Sequence, residues 1–584
     1  MAHEPTGEPI VPLDPAWPAM SLADATAALT GPGSKFEIES VEIDGIMTRV
    51  WKHAPHDLGQ LLDLSRGHGE RVFTILEDER VSYEANWRAT AALAHALVGM
   101  GIAKGDRVAF AMRNLPEWPV IFFAIASIGA IAVPLNAWWT GAELAYGIQD
   151  SGAKLLIVDG ERHERIREHI GAMPAIENVI VARSADKADN FLALEDLIGH
   201  PRDWAGLVVA SRPVVVLESD DPATIFYTSG TTGHPKGALG THRNLVTNIL
   251  SGGFAGARSF LRRGEPVPEP APRTVLLVIP MFHVTACSAS LMGSLVAGNT
   301  IIFMRKWDTV QAMEIIERER VHATGGVPTI AWQLIEHPDR AKYDLSSLEA
   351  IAYGGAPSAP ELVKRIYEEF GALPGNGWGM TETMATVTSH SSEDYLNRPT
   401  SAGPPVPVAD LEIRDDDGVS LLPVGTVGEL WVRGPMIVKG YWHQPDATAE
   451  TFVNGWVRTG DLARLDAEGF LYIVDRAKDM VLRGGENIYS SEVENALYAH
   501  PAVTDCAVIG LPHRTLGEEP AAVVHLAPGA TATEAELQDW VRVRLAAFKV
   551  PVAIRFSADT LPRNANGKIL KKDLKALFAA AHAA

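Results

Sequence analysis

Two hydrophobic periods alternate along most of this chain, and that alternation constrains its fold more than any other feature. Ala89, Leu93, Leu97 and Met100 recur at helical spacing, and Gly101 stands where a helix C-cap belongs. Val108 to Met112 then reads as a strand. The apolar run Val120 to Leu135 is short for a membrane span and contains Gly129 and Pro134, so it reads as a buried helix entering a strand. Lys154 to Val158, Thr274 to Ile279 and Thr300 to Met304 read as further buried strands. Ser358-Ala-Pro-Glu361 has the form of a capping box, opening a helix with Leu362, Ile366 and Phe370 on one face and Gly371 at its end. Helix and strand in alternation predict a layered α/β body with largely parallel sheets.

The pattern changes after about Asp410. Asp and Gly within Glu412 to Ser420 suggest a hairpin, and Gly428 to Val432 and Gly469 to Val474 read as antiparallel strands. A smaller α+β unit starts after Arg476, with Ser491-Glu-Val-Glu494 read as the cap of a helix ending near His500 and Thr504 to Ile509 as a strand. The division expected is a leader over 1–55, a body over 56–475 with a β-rich subdomain from about 405, a hinge at 476–479 and a small mobile domain over 480–584. The leader is Pro-rich and weakly periodic and predicts an extended segment draped on the body. Glu265 to Pro272 predicts a rigid exposed loop.

Composition narrows the function classes. The formal charge of −21 over 584 residues lacks the basic footprint of a nucleic-acid binder. Cys287 and Cys506 alone cannot build a disulfide framework or a Cys-based zinc site; each reads as a small buried hydrophobe in a reducing cytoplasm. The N-terminal stretch has no basic and apolar regions of the secretory kind. His163 and His169, among the charges of Glu161 to Glu168, are six apart and so not on one helix side; that segment reads as a solvated face without a metal.

Chemistry concentrates in a few segments. Tyr227-Thr-Ser-Gly-Thr-Thr-Gly-His-Pro-Lys-Gly237 combines three glycines, four hydroxyls and a lysine after an apolar strand. Glycines turn backbone N–H groups toward an anion and hydroxyls add donors, which suits a polyphosphate. It is not a Walker A loop, because Gly237 follows Lys236. Five further segments stand in order: Pro280-Met-Phe-His283, Tyr353-Gly-Gly-Ala-Pro357, Asn376-Gly-Trp-Gly-Met-Thr-Glu-Thr383, Thr459-Gly-Asp461 with Asp475-Arg-Ala-Lys-Asp479, and Arg483-Gly-Gly-Glu-Asn487. The last, Pro562 to Lys568, is a PxxxxGK pattern.

Together these residues resemble the adenylate-forming superfamily: acyl-CoA synthetases, adenylation domains of peptide synthetases, and luciferases. The likeness runs over roughly 60–584 and favours the acyl-CoA synthetase, fatty-acid–CoA ligase branch. It implies that Thr228, Ser229, Gly230, Thr231, Thr232, Gly233 and Lys236 hold ATP phosphates, with Thr231 acting in catalysis. It implies close approach of Gly354, Gly355 and Ala356 to the adenine, with Trp378 stacking on that base where many relatives have Tyr. Gly379, Met380 and Thr381 belong to the same nucleotide site, and Glu382 to Mg²⁺, which with bound phosphates typically takes one or two protein carboxylates. The resemblance assigns Asp461 to the ribose hydroxyls, Arg476 to ribose or phosphate, Lys478 to the hinge and Lys568 to catalysis of adenylation. Gly484, Gly485 and Glu486 would line the pantetheine path in the second half-reaction.

The activity implied is an ATP-dependent carboxylate–CoA ligase using ATP, Mg²⁺ and coenzyme A. His283, Cys287 and Gly326 are expected in the acyl pocket. Val284, Ala286, Cys287, Ala289 and Gly326 are small or apolar, and no carboxylate is there for an amino group, which favours a medium or long fatty acid over an amino acid. Cys287 puts in doubt the aromatic gate of some long-chain relatives. Aryl acids such as cinnamates and benzoates fit an apolar slot too, and a carrier protein could replace CoA as acceptor. An oxygenase remains a further reading. The partners expected are small molecules, with no nucleic acid; a homodimer and a peripheral membrane contact are compatible with the sequence.

Overall fold

The computed structural model describes residues 17–184, 191–228, 234–354, 360–484, 486–527, 529–563 and 568–579. Two large sheets carry the body. One has seven strands in the order Gly237–Thr241, Pro222–Tyr227, Ile131–Pro134, Arg107–Ala111, Leu155–Asp159, Asn178–Ala182, Leu192–Ala193. All neighbours are parallel except the first pair. The other has eight, in the order Ala385–Ser391, Leu373–Met380, Ala350–Gly354, Ala323–Gly326, Thr274–Leu277, Thr300–Phe303, Val72–Leu76, Glu79–Ser82. It is parallel through its centre and antiparallel at both ends.

Sequence explains the layering. The helix Glu117–Ser127 is buried along its whole length, as expected of an element apolar on every side, and leads into Ile131–Pro134. The amphipathic helix Pro360–Phe370 buries Leu362, Val363 and Ile366, and Gly371 follows it at φ 64°. Ser358, which would cap it, lies outside the described residues.

The third sheet is antiparallel: Asp410–Arg414, Gly428–Arg433, Trp456–Leu465 and Phe452–Val453, with Leu471–Arg476 paired to Trp456–Leu465. The last sheet, in the C-terminal part, contains Glu486–Ile488, Val481–Arg483, Gly517–Leu526, Val503–His513 and Ile554–Ser557. Glu265 to Pro272 is exposed as expected, and both cysteines are buried and free.

Three expectations need correction. The leader is not extended where it is described: it forms the helix Leu22–Thr30, capped by Ser21, and a hairpin of Ile38–Ile43 with Ile46–Trp51. Its aromatic residues Phe36 and Trp51 pack on Phe254 of the long helix His242–Arg262, burial that weak periodicity conceals. Glu161 to Glu168 is not wholly solvated. Arg162 and His163 are buried, because Arg162 Nη1 pairs with Asp159 at 3.0 Å, its Nε donates to the Ala137 carbonyl, and the His163 ring meets Phe191 edge-on. Finally, Ser491 does not cap the helix Ser490–Tyr498; Tyr489 holds that position and Ser491 lies within the first turn, its hydroxyl donated to the Val474 carbonyl.

Candidate active site

The carboxyl ends of neighbouring parallel strands are where ligands bind in open α/β sheets. Three of the chemistry-bearing segments, with Gly326 of the expected acyl pocket, converge there. Pro280 to His283 follows Thr274–Leu277; Gly326 ends Ala323–Gly326; Gly354 ends Ala350–Gly354; Trp378, Gly379 and Met380 end Leu373–Met380. The register aligns Gly326 with Tyr353 and Gly354 with Gly377. The glycines are required by close backbone approach: a Cβ on Gly379 would lie 1.4 Å from the Ala385 carbonyl oxygen.

That approach makes the turn carrying Glu382. Met384 and Ala385 take positive φ, and the Thr383 hydroxyl accepts from Met380 N–H at 2.9 Å and donates to the Ala385 carbonyl. Asn248 clamps the turn from the long helix, donating to Met384 O at 2.6 Å and accepting from Thr386 N–H at 2.9 Å. Glu382 itself is buried; its backbone carbonyl accepts from Val438 N–H at 3.0 Å.

A residue the motif reading missed completes this corner. Tyr441 donates its hydroxyl to Glu382 Oε1 at 2.6 Å, while Lys236 Nζ stands 4.8 Å from the Tyr441 ring centroid. Burial, then the Glu382 charge, pushes the Tyr441 phenol pKa up and keeps it a donor. The segment around Tyr441 is held along Gly237–Thr241: Leu239 N–H donates to Gly440 O and Trp442 N–H to Gly237 O. In the sequence Tyr441 stands in the short string Gly440-Tyr441-Trp442, which carries no phosphate-loop or carboxylate pattern of its own. Thr228 and Lys236 close the neck of the phosphate loop, Thr228 N–H donating to Lys236 O at 2.8 Å and Lys236 N–H to Thr228 Oγ1 at 3.2 Å. Ser229, Gly230, Thr231, Thr232 and Gly233, like Gly355, Ala356 and Gly485, lie outside the described residues.

Asp461 is the second buried carboxylate. A register shift between the strands of Glu429 and Arg458 accommodates Gly460 at φ 70°, and Thr459 donates to Leu430 O at 2.7 Å, turning Asp461 inward. Asp461 Oδ2 accepts from Trp378 Nε1 at 2.8 Å, and Oδ1 faces Arg476 Nε at 3.1 Å across the strand pair. Trp378 therefore does what a tyrosine ring in its place would do differently: its N–H anchors this carboxylate.

Lys568 comes to the same place from the C-terminal part. Burial, then the positive charge of Arg476, lowers its pKa from 10.5 to about 8, while Asp461 and Glu382 act to raise it and Lys478 to lower it. Lys478 is itself lowered, by burial and then by Arg476. His283 is pushed down to about 3 by burial, with Lys568 adding to the effect, so its ring is neutral; Nε2 is buried with no hydrogen-bond partner among the described residues. Cys287, one turn on and fully buried in the π-helix Thr285–Leu291, has its thiol pKa raised by burial. Single-turn π-bulges concentrate at functional sites. Gly484 and Glu486, by contrast, are exposed at the tip of the hairpin formed by Val481–Arg483 and Glu486–Ile488, with Gly484 N–H donating to Leu516 O at 2.7 Å. The structure thus groups Lys568, rather than that hairpin, with Glu382 and Asp461. Met380 and Thr381 lie half-buried beside Glu382.

The sequence model for "AMP-binding enzyme" matches residues 63–442, and that for "AMP-binding enzyme C-terminal domain" matches 492–568. This chain belongs to the AMP-binding enzyme family. It is 35% identical to a long-chain-fatty-acid–CoA ligase, FadD13, of Mycobacterium tuberculosis over 86% of this chain and 94% of that protein. It is 36% identical to a feruloyl-CoA synthase of Amycolatopsis sp over 85% of this chain and 94% of the relative. Among solved structures, the anthranilate CoA ligase AuaEII in complex with anthranoyl-AMP aligns with a TM-score of 0.80 at 25% identity, over 90% of this chain and 98% of that one.

This family member is an ATP-dependent acid–thiol ligase. It forms an acyl-adenylate and pyrophosphate, then an acyl-CoA thioester and AMP. A carboxylate is a poor electrophile toward a thiol; moving the α-phosphate of ATP onto it supplies AMP as leaving group. Among the described residues no helix is long and apolar enough to cross a membrane.

Proposed function

We propose that this AMP-binding enzyme activates medium- or long-chain fatty acids and that Lys568, Glu382, Asp461 and Arg476 are the polar groups of its adenylate-forming step. The observation that carries the site reading is the placement of the half-buried Lys568 within electrostatic reach of Glu382, Asp461 and Arg476. Bringing an anionic carboxylate to an anionic triphosphate needs positive charge fixed between them, and such preorganised charge is usually the largest catalytic term. Lys568 supplies it at the attacking oxygen and the α-phosphate, and the backbone N–H groups and hydroxyls of the 228–236 loop supply donors for the phosphates. Asp461 receives the ribose hydroxyls. His283, neutral and with Nε2 unmatched among the described residues, faces the acyl side as an uncharged donor or acceptor.

The donor chemistry also fits magnesium. Glu382 is a hard oxygen donor whose Oε1 is engaged by the Tyr441 hydroxyl, and one such carboxylate suits Mg²⁺ when phosphates and water complete its shell. Bound there, Mg²⁺ supplies Lewis-acid neutralisation of phosphate charge.

The fatty-acid preference is supported by the small and apolar residues near His283, with Ala286 and Cys287 fully buried, and by similarity to the FadD13 ligase. The second reading, an aryl acid, is supported by similarity to the feruloyl-CoA synthase. A screen of saturated acyl chains against cinnamates and benzoates, read as kcat/KM, separates them: preference for a benzoate or cinnamate overturns the fatty-acid reading. Coenzyme A against a holo-carrier protein in the same assay tests the acceptor. For the second half-reaction, rotation of the small C-terminal domain about Lys478 withdraws Lys568 and brings Gly484 to Asn487 inward, a hinge motion carried by a few residues. A cytoplasmic, reducing location accords with the two free thiols.

A further inference from the structure

Lys478 separates two halves of a hydrogen-bonded junction, and the half beyond it lies outside the catalytic motifs. On the body side are Val474 and Asp475, at the end of the strand Leu471–Arg476. On the far side are Ser490 and Ser491, the first turn of the helix Ser490–Tyr498. Asp475 Oδ2 accepts from the Ser490 backbone N–H and from its hydroxyl, the latter at 2.8 Å; Oδ1 accepts from Arg476 N–H at 2.7 Å. Ser491 donates its hydroxyl to Val474 O. Both Asp475 and Ser490 are buried, Ser490 completely.

The junction continues to the catalytic lysine. Lys571 Nζ donates to Ser490 Oγ at 2.8 Å and pairs with Glu494 Oε1 at 2.8 Å, and Glu494 in turn accepts from Val508 N–H at 2.8 Å. Lys571 opens the helix Lys571–Ala579 and stands three residues after Lys568. A chain of direct contacts therefore runs from the end of a body strand, across the hinge, to the segment that presents Lys568.

We propose that Asp475 and Ser490 are positioning residues of the adenylate-forming step: they latch the small domain in the orientation that holds Lys568 beside Glu382 and Asp461. The latch spans the pivot, so rotation about Lys478 separates Asp475 from Ser490 and breaks it. It biases the domain toward the first half-reaction without touching substrate. Differential contacts of this kind are what set a two-state equilibrium. This inference rests on the assignment of Lys568 to the first half-reaction and goes beyond it.

The test measures the two half-reactions separately on the full-length enzyme. Adenylation is followed by acid-dependent exchange of pyrophosphate into ATP, and thioester formation from supplied acyl-adenylate and CoA. For Asp475→Ala the expected result is a loss of roughly ten-fold or more in adenylation, the effect of removing hydrogen bonds to a charged group. Thioester formation should be unchanged or faster. Ser490→Ala, which keeps the backbone bond, should lose less, in the same direction. Equal loss of both half-reactions in a folded variant, or no loss in either, overturns the latch. If Asp475→Ala does not fold, the Ser490→Ala split alone decides. Lys568→Ala serves as control: a loss of both steps in that variant refutes the underlying site assignment, whereas an adenylation-only loss there with unsplit Asp475 and Ser490 variants refutes the latch alone.

Discussion

Lys568 should give the enzyme an alkaline limb far below that of an ordinary lysine. Its pKa is lowered from 10.5 to about 8, first by burial and next by Arg476. The adenylate-forming step needs the ammonium, so activity is present below that value and lost as pH rises through it. At pH 7 about nine-tenths of free enzyme would carry the proton and at pH 9 about one tenth, by simple titration around about 8. The profile of kcat/KM for adenylation, which reports the free enzyme, should fall with a midpoint near 8. The profile of kcat should fall at higher pH, because bound triphosphate favours the charged form. Arg476→Gln removes a like charge and should move the free-enzyme limb upward, whatever it does to affinity for ATP. Stability runs the other way. The unfolded chain binds the proton up to 10.5 and the folded chain only to about 8, so between those values the Lys568 contribution to stability rises with pH. Pyrophosphate exchange across a pH series, with thermal melting on the same samples, measures both slopes. A kcat/KM limb near 10, or an Arg476→Gln limb that stays in place, would refute the electrostatic reasoning.

Other expectations follow from individual contacts. Tyr441→Phe removes the 2.6 Å hydrogen bond to Glu382, worth about 1.5–3 kcal/mol for a charged acceptor, so adenylation should drop roughly ten- to hundred-fold with a raised magnesium requirement in a metal titration. Gly379→Ala puts a Cβ 1.4 Å from the Ala385 carbonyl oxygen, and urea unfolding should show a loss on the order of 3 kcal/mol or more, or no folded protein. Cys287→Phe fills a fully buried position in the π-helix, costing about 1–3 kcal/mol by overpacking; its kcat/KM should shift toward shorter acyl chains, and an unchanged chain-length profile would remove Cys287 from the pocket.

The layered body was legible because each of its elements carries its own period. Glu117–Ser127 with Ile131–Pro134 emerged from one apolar run, and the antiparallel sheet from the Asp- and Gly-rich turns after Asp410. The leader was misread because its burial rests on Phe36 and Trp51 meeting Phe254, two hundred residues away, a long-range packing that no local period records. Ser491 was misread for a related reason. Its capping pattern is local, but the Val474 carbonyl outcompetes that role once the strand end and the helix meet. The same holds within the site. Glu382, Asp461, Asp475 and Lys568 stand in ordered motifs, whereas Tyr441, Asn248 and Ser490 act through tertiary contacts that those motifs do not encode.

The central chemical claim is that the acid is activated by transfer onto the α-phosphate of ATP. It is tested most directly with a fatty acid labelled with heavy oxygen in both carboxylate positions, incubated with ATP, CoA and the enzyme and analysed by mass spectrometry of the nucleotide. Attack on the α-phosphate leaves one labelled oxygen bridging the acyl-adenylate, and thiol attack then cleaves the acyl carbon–oxygen bond, so each AMP released carries one heavy atom. Label appearing in phosphate with ADP as product, or AMP free of label, would contradict the account.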